Sequence, residues 1–209
     1  MEINRPARGQ ELNPGPATVP RPAATVILLR GGTAALEVLL VRRNPQARFM
    51  GGAWVFPGGA VDRSEGSGDA ALRAAAIREL AEEAGITVEA PGALIPFARW
   101  ITPAQVKKRF DTWFYLACAP AGARAHVDGS EVVDAGWFEP ARALEASARG
   151  ELPLVFPTIK QLQELAGFAS AEAVLAHARG RPVHPVEPRV VLSGENARIV
   201  LPGEPGYEE

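Results

Sequence analysis

Three glutamates near the middle of the chain have a spacing that can bind a cation. Glu79, Glu82 and Glu83 stand at positions i, i+3 and i+4 of a predicted helix, so their carboxylates project from one side of it. No Lys or Arg lies three or four residues from Glu79 or Glu83, whereas Glu82 has Arg78 at i−4. Hard divalent cations such as Mg²⁺ take oxygen ligands of this kind and hold phosphate groups beside them. The alternative is a solvated acidic helix face.

A glycine turn precedes this helix. The turn reads Phe56-Pro57-Gly58-Gly59, Glu65 follows Gly59 after five residues, and the helix ends in the run Arg78-Glu79-Leu80-Ala81-Glu82-Glu83-Ala84-Gly85-Ile86. This arrangement resembles the signature box of the Nudix hydrolase family. Twelve residues separate Glu65 from Arg78, five more than in the family pattern. Counting back from Arg78 instead puts Ala70 at the position of the first family glutamate, so two alignments of that position remain open.

The resemblance implies a fold and an activity. The expected fold class is α/β, a Nudix α/β/α sandwich with a mixed central sheet, followed by a helical and β-hairpin C-terminal extension. The expected reaction is hydrolysis of a diphosphate bond in a nucleoside diphosphate linked to another group. The implied ligands for Mg²⁺ or Mn²⁺ are Glu79, Glu82, Glu83 and the backbone carbonyl of Gly58.

The resemblance also implies catalytic roles for residues around these ligands. Arg78 is expected to orient the neighbouring carboxylates. In some family members a carboxylate from a later segment reaches the metals or deprotonates water, and here an acidic residue precedes the Trp137-Phe138 pair. Glu131 is the candidate for that role, with Asp134 in reserve. The general base is therefore either Glu82 or Glu131, and an exposed strand-edge glutamate is the alternative for the latter.

Arginines before the glycine turn are candidates for binding the substrate. Arg43 and Arg48 can meet the charge of a diphosphate, although an exposed basic loop is an equal alternative. The spacing from Arg48 through Gly52 to Phe56 is similar to the second half of a motif in coenzyme A pyrophosphatases. Coenzyme A or an acyl-coenzyme A is therefore the leading substrate. ADP-ribose and NADH are alternatives, and a non-catalytic ligand sensor is a third.

A predicted strand at residues 109–117 offers a second group of candidates. One face carries Arg109, Asp111, Trp113 and Tyr115, and the other carries apolar residues and a threonine. A cation, a carboxylate and two aromatic rings can hold a nucleotide, with a base stacked on a ring. A sheet face covered by a helix explains the same pattern equally well.

Composition sets the broad class. The chain has 209 residues, of which 47% are hydrophobic, and its net charge of −2 argues against a general nucleic-acid binder. The single cysteine, Cys118, excludes an intramolecular disulfide, and its apolar surroundings predict burial. No apolar run is long enough for a membrane span, and no signal peptide is apparent, so a cytoplasmic protein is expected. The substrate is a small nucleotide-type molecule, and a homodimer remains open.

The chain order predicts three segments: a flexible tail at 1–20, the catalytic domain at 21–145, and an extension at 146–209 packed on the same domain. Within them we expect a hairpin from strands at 23–29 and 36–43, and a helix from Ala70 to Ala84 with Gly85 as its C-cap. The extension is predicted to hold helices near 141–148, 157–165 and 171–179. A final hairpin is expected at 189–192 and 197–201.

Overall fold

The computed structural model describes residues 2–3, 11–33, 35–88, 90–193 and 196–208. Eleven strands run in chain order: β1 Glu2–Ile3, β2 Arg21–Arg30, β3 Glu37–Arg43, β4 Trp54–Val55, β5 Gly58–Ala60, β6 Ile95–Ile101, β7 Phe110–Cys118, β8 Val132–Phe138, β9 Pro185–Val186, β10 Arg189–Ser193 and β11 Asn196–Val200. The described ranges also contain four α-helices, of which the first lies between β5 and β6 and the other three between β8 and β9: α1 Gly68–Ala84, α2 Pro140–Ala148, α3 Phe156–Leu165 and α4 Ala171–Ala178.

The strand β2 lies inside the larger sheet and has both of its faces covered. Its residues Ala23–Leu29 are buried without interruption, as expected for a strand with packed elements on each side. It pairs antiparallel with β3 and β5 and parallel with β7. The eight-stranded sheet is therefore mixed, with the main order β4-β3-β2-β7-β6-β9. A second, antiparallel sheet joins β1, β11 and β10.

Two apolar clusters occupy opposite faces of the large sheet. One cluster contains Leu80 of α1, and the other contains Ala143 of α2, Leu162 of α3 and Val174 of α4. Helices thus cover both faces, and the predicted α/β/α sandwich with a mixed central sheet is confirmed. Among the helices of the described ranges, none is long and apolar enough to cross a membrane.

The helix α1 begins two residues earlier than predicted. Ser67 is its N-cap, and Gly85 ends it with φ of 65°, the left-handed conformation that favours glycine at this position. Its buried face includes Leu80 and several alanines, which allow the helix backbone to lie close to the sheet. Leu72, in the first half of the helix, is only partly buried. The carboxylates at the C-terminal half of α1 therefore lie near the sheet.

The alternation predicted for the strand at 109–117 is present in β7. Phe114 and Leu116 belong to one apolar cluster, whereas Tyr115 belongs to the other and Trp113 packs against it. The expectation that Cys118 is buried is wrong. Cys118 is exposed because it is the last residue of the strand, beyond the buried Ala117.

Residues 1 and 4–10 of the predicted tail at 1–20 lie outside the described ranges. Residues 11–20 run beside the loop between β6 and β7. The amide of Asn13 donates to the Gln105 carbonyl at 2.7 Å, and the Thr18 hydroxyl donates to the Lys107 carbonyl at 3.0 Å. These bonds attach residues 11–20 to the loop, while the boundary of the tail stays a prediction.

The C-terminal extension contacts the same core as the catalytic segment. Leu162 and Leu165 of α3 share a cluster with Ile27 of β2, and β9 pairs in parallel with β6. The Arg181 guanidinium donates to the Phe97 carbonyl of β6 at 3.0 Å. We therefore expect the extension and the catalytic segment to unfold together.

Replacing Leu162 with alanine tests this expectation. Leu162 is fully buried, and truncating such a side chain typically costs about 2–5 kcal/mol of the free energy of unfolding. Urea denaturation of Leu162→Ala should show one unfolding transition. Its midpoint should move to a lower urea concentration, by the same amount at near-UV and far-UV wavelengths. The control is Leu12→Ala, at a leucine that is partly exposed, which should change the free energy of unfolding by less than about 0.5 kcal/mol. Two separate transitions would mean that the extension folds independently.

Candidate active site

The glycine turn approaches α1 so closely that a side chain is excluded from it. A Cβ atom on Gly59 would collide with the Glu79 carboxylate, and one on Gly58 would collide with Thr25 of β2. The turn continues into β5, which pairs with β2 through Ala23, Ala24 and Thr25. The sheet therefore fixes the turn, and the turn fixes where the helix carboxylates lie.

Glu83 is the most deeply buried carboxylate of the group. It is 5% exposed, the Gly58 amide donates to its Oε2 at 2.9 Å, and Arg43 Nη1 lies 3.6 Å from its Oε1. Burial raises the pKa of Glu83 to about 7. The Gly58 hydrogen bond and the Arg43 charge oppose this rise, whereas the charges of Glu79 and Glu131 add to it. A cation in contact with this carboxylate would therefore stabilise its ionised form.

Arg78 lies among the remaining carboxylates. Its Nη1 donates to Glu79 at 2.8 Å and to Glu82 at 2.9 Å, and its Nη2 donates to the Ala60 carbonyl at 3.1 Å. The carboxylates around it raise the pKa of Arg78, so it stays charged. Arg78 therefore contacts the carboxylates that it is expected to orient, and the orienting role stays a prediction. Arg78 and Glu79 are adjacent in the sequence, so a pattern of charges three or four residues apart does not predict this pair.

The lengthened loop brings Glu65 against the helix α1. A short 3₁₀ turn at Arg63–Glu65 brings Glu65 to Arg78, whose Nε donates to it at 3.0 Å. Burial opposes ionisation of Glu65, but hydrogen bonds from Arg78 and from the Asp62 amide outweigh it and lower the pKa of Glu65. Ala70 is exposed in the first turn of α1. Of the two residues, Glu65 is therefore the one that contacts Arg78.

Glu79 is held between the turn and Arg78. Burial raises the pKa of Glu79, the Arg78 charge and hydrogen bond lower it, and the charges of Glu82 and Glu131 raise it further. Glu82 is more exposed than Glu79 and shares the same arginine. Arg78 therefore pairs with one partly buried carboxylate, that of Glu79, and with one exposed carboxylate, that of Glu82.

Arg43 brings a later segment to the site. Its Nη2 lies 3.2 Å from the Glu131 carboxylate, while its Nη1 faces Glu83. The neighbouring Asn44 fixes that segment, because its amide donates to the Glu131 carbonyl at 2.9 Å and its side chain donates to the Ser130 carbonyl at 2.7 Å. Asp134 instead accepts a hydrogen bond from the amide of Ala135. Of the two acidic candidates, Glu131 is the one that Arg43 contacts.

The candidates on β7 have other partners. Arg109 is 7% exposed and donates to the carbonyls of Thr102 and Thr18 and to the Glu187 carboxylate at 2.6 Å. Asp111 accepts two hydrogen bonds from Arg99, at 2.9 and 2.6 Å. Arg109 therefore joins the N-terminal and C-terminal segments to the domain rather than facing the carboxylates.

The two aromatic residues on that face of β7 differ in burial. Tyr115 is fully buried beneath α1, and its hydroxyl donates to Asp69 at 3.2 Å. Trp113 is only partly buried, stacks on Tyr115, and has the Arg99 guanidinium 5.4 Å from its ring centroid. The interpretation as a sheet face covered by a helix therefore holds at Tyr115. Arg99 of β6 is not among the residues predicted from the sequence. The signal that could have found it is the antiparallel pairing of β6 with β7.

The residues around Glu83 have the chemistry that a divalent cation requires. Within the described residues, no three acidic, histidine or cysteine side chains are already gathered closely enough to hold a metal. Arg43 and Arg78 contact the same oxygens that a cation would use. The donors are nevertheless carboxylate oxygens, which Mg²⁺ and Mn²⁺ prefer. Buried Glu83, with its raised pKa, is a carboxylate that a cation would favour in the ionised form.

Comparison with known proteins identifies the family. A sequence model of the NUDIX domain matches residues 19–158, about two thirds of the chain. The chain belongs to the Nudix family. The predicted membership is thus confirmed, and the protein is a Nudix-type pyrophosphohydrolase. The family generally uses divalent metals and acts on small nucleotide-type substrates.

Individual Nudix proteins resemble the chain over most of its length. A crystal structure of a NUDIX hydrolase from Alicyclobacillus acidocaldarius is 29% identical, covers 79% of this chain and 99% of its own, and superposes with a TM-score of 0.69. Human acyl-coenzyme A diphosphatase NUDT19 is 24% identical, with 95% of this chain and 83% of the relative covered. Nudix hydrolase 7 of Caenorhabditis elegans is 28% identical, with 84% and 70% covered.

The raised pKa of Glu83 predicts a pH-dependent stability in metal-free solution. The folded protein binds this proton more tightly than the unfolded chain does. The resulting stability is fully present below pH 4.5 and is lost as the pH rises through about 7. A pKa difference of this size between the folded and the unfolded chain corresponds to about 3 kcal/mol of the free energy of unfolding. Urea denaturation with a chelator should therefore show that Glu83→Gln becomes more stable relative to wild type between pH 5 and pH 8.

Glu145→Gln is the matched control, because Glu145 is an exposed glutamate on α2. Its stability relative to wild type should be independent of pH over the same interval. If the difference between Glu83→Gln and wild type were also constant, the Glu83 carboxyl would not be buried as described.

Proposed function

We propose that this Nudix hydrolase cleaves the diphosphate bond of coenzyme A or an acyl-coenzyme A. The observation that carries the proposal is the segment from Arg48 to Gly59, whose spacing resembles the second half of the coenzyme A pyrophosphatase motif. Arg43, which precedes this segment, contacts Glu83. The names of relatives add support, since the acyl-coenzyme A diphosphatases NUDT19 of human, Xenopus laevis and Gallus gallus match 86–95% of this chain.

The proposed metal is Mg²⁺ or Mn²⁺, held by Glu79, Glu83 and the Gly58 carbonyl, with Glu82 alongside. When bound, the metal neutralises phosphoryl charge and lowers the pKa of a water molecule. Arg78 positions Glu79 and Glu82 through the hydrogen bonds described above.

Arg43 and Arg48 are the proposed diphosphate-binding residues. Arg48 is exposed on the loop, and Arg43 is at the edge of the carboxylate group. Arg109 and Asp111 are weaker candidates, because Glu187 and Arg99 already neutralise their charges. Two arginines facing a diphosphate can form paired hydrogen bonds with its oxygens.

Glu131 is the proposed general base. During hydrolysis the water oxygen forms a bond to one phosphorus, the bond from that phosphorus to the bridging oxygen breaks, and the water proton passes to the base. Glu131 is 66% exposed and adjoins Glu83 through Arg43, so it can reach a water molecule at the site. Glu82 is the other candidate: Arg78 donates to it at 2.9 Å, as Arg43 donates to Glu131 at 3.2 Å.

The substrate class is tested by hydrolysis of coenzyme A, acetyl-coenzyme A, ADP-ribose, NADH and a nucleoside triphosphate with Mg²⁺ or Mn²⁺. Coenzyme A compounds should be the best substrates, and Glu83→Gln should lower their kcat/KM by about 10²-fold or more because a metal ligand is lost. Glu145→Gln, at an exposed glutamate, should retain wild-type turnover. Phosphate-containing products can be quantified by chromatography.

Other results would redirect the proposal. Preferential turnover of ADP-ribose or NADH would replace coenzyme A as the substrate class. A ligand that raises the melting temperature without any turnover on the panel would instead support a non-catalytic sensor.

The choice of base is tested by three glutamine or asparagine variants. Glu131→Gln should lower kcat by about 10²–10⁴-fold, the usual contribution of a general base, with a small change in the concentration of Mg²⁺ needed for half-maximal rate. Asp134→Asn is the matched control and should stay within about twofold of wild type in kcat. A larger loss of kcat in Glu82→Gln than in Glu131→Gln would assign the base to Glu82.

A further inference from the structure

A small apolar cavity of about 90 Å³ lies on the face of the sheet opposite α1. Three parts of the chain form its walls: the loop before the glycine turn, the segment from Trp100 to Lys108 with the adjoining part of β7, and the C-terminal extension. Most of its lining is aromatic or aliphatic, including Phe49, Met50, Trp100, Phe114, Phe156 and Ile199.

The loop that carries Phe49 and Met50 is tightly held. Met50 has φ of 51°, a strained value for a residue with a side chain. A Cβ on the next residue, Gly51, would lie 2.7 Å from the Pro45 carbonyl oxygen, so the turn can be this compact only with glycine there. The Ala53 amide donates to the Met50 carbonyl at 3.2 Å. The two side chains are therefore presented to the cavity by a pre-formed turn, and strained residues of this kind are often found at ligand-binding loops.

Arg43 contacts both the loop that lines the cavity and a carboxylate of the active site. Arg43 Nε donates to the Phe49 carbonyl at 3.2 Å, and Nη1 of the same guanidinium lies 3.6 Å from Glu83. Arg43 and the Phe49 backbone therefore separate the cavity from the carboxylates. A group bound in the cavity must be joined to the diphosphate by a spacer.

The lining favours an alkyl chain over a nucleotide base. Whole ligands generally occupy pockets of roughly 300–1,000 Å³, so this cavity accommodates one segment of a substrate. A base needs several hydrogen-bond partners around its edge. The polar side chains here are those of Thr102, Thr112 and Lys108, and the Thr102 hydroxyl oxygen already accepts from the Phe110 amide at 3.0 Å. Lys108 is exposed, with its ammonium 5.0 Å from the Phe49 ring centroid.

We propose that this cavity binds the acyl chain of an acyl-coenzyme A and makes the enzyme selective for chain length. The inference rests on the proposed function, because the acyl group lies at the far end of the pantetheine arm that joins it to the diphosphate of coenzyme A. The pantetheine arm is the spacer that the position of the cavity requires. The extension thereby supplies part of the substrate site through Phe156 and Ile199.

The test is kcat/KM for coenzyme A and for its acetyl, butanoyl and octanoyl thioesters with Mg²⁺. Each methylene buried in an apolar pocket changes kcat/KM by roughly fourfold. A cavity of about 90 Å³ has room for only part of an octanoyl chain, so the gain stops after the first few methylenes. The wild-type enzyme should therefore prefer octanoyl-coenzyme A to acetyl-coenzyme A by at least about tenfold.

Two variants change the cavity in opposite directions. Val106→Phe adds volume at a buried lining residue, and Phe49→Ala removes an aromatic wall from a partly exposed loop, where unfolding is not expected. Both should reduce the ratio of octanoyl to acetyl kcat/KM to within about twofold of one. Val19→Phe is the matched control, since Val19 is 88% exposed, and it should keep the wild-type ratio. Melting temperatures establish that each variant is folded.

The outcomes separate this inference from the proposed function. Turnover of coenzyme A with equal kcat/KM for all thioesters in wild type would overturn the inference alone. So would a wild-type preference that persists in a folded Phe49→Ala variant. Turnover of ADP-ribose with all coenzyme A compounds inert would overturn the proposed function, and the acyl site with it.

Discussion

The hydrogen bond from the Gly58 amide to the buried Glu83 carboxylate is the interaction on which the site depends. A hydrogen bond to an ionised group contributes roughly 1.5–3 kcal/mol, but burying a carboxylate has a cost of its own. The raised pKa of Glu83 shows that burial outweighs the bond and the Arg43 charge together. Arg43 compensates the charge of the ionised Glu83 only in part, and a bound cation would supply the remainder.

The sequence predicts features that depend on neighbouring residues. Helical spacing places Glu79 and Glu83 on one side of α1, and the alternation of β7 separates Phe114 from Tyr115. Contacts between distant segments follow from the sheet instead. Arg43 reaches Glu83 only because β3 and the glycine turn are assembled around β2. Spacing finds no Lys or Arg three or four residues from Glu79 or Glu83, yet Arg78 of α1 pairs with Glu79, and Arg43 of β3 lies 3.6 Å from Glu83.

The lengthened loop shows why counting residues does not locate the first box glutamate. Extending a flexible loop adds little closure entropy, because that cost grows only with the logarithm of loop length. Glu65 can therefore meet Arg78 across five additional residues, with a charge-assisted hydrogen bond fixing the end of the loop. The same long-range effect explains Arg109, which the strand pattern assigns to a ligand face but which Glu187 and the Thr18 carbonyl engage.

The catalytic helix and the walls of the apolar cavity lie on opposite faces of one sheet. Glu79 and Glu83 face the glycine turn, where chemistry at the diphosphate requires close and nearly invariant distances. The cavity is built from segments far apart in the chain, including the extension that follows α2. Mutations there can change its shape without moving the carboxylates, since Arg43 and the Phe49 backbone lie between them. This separation allows substrate selectivity to change while the diphosphate chemistry is retained.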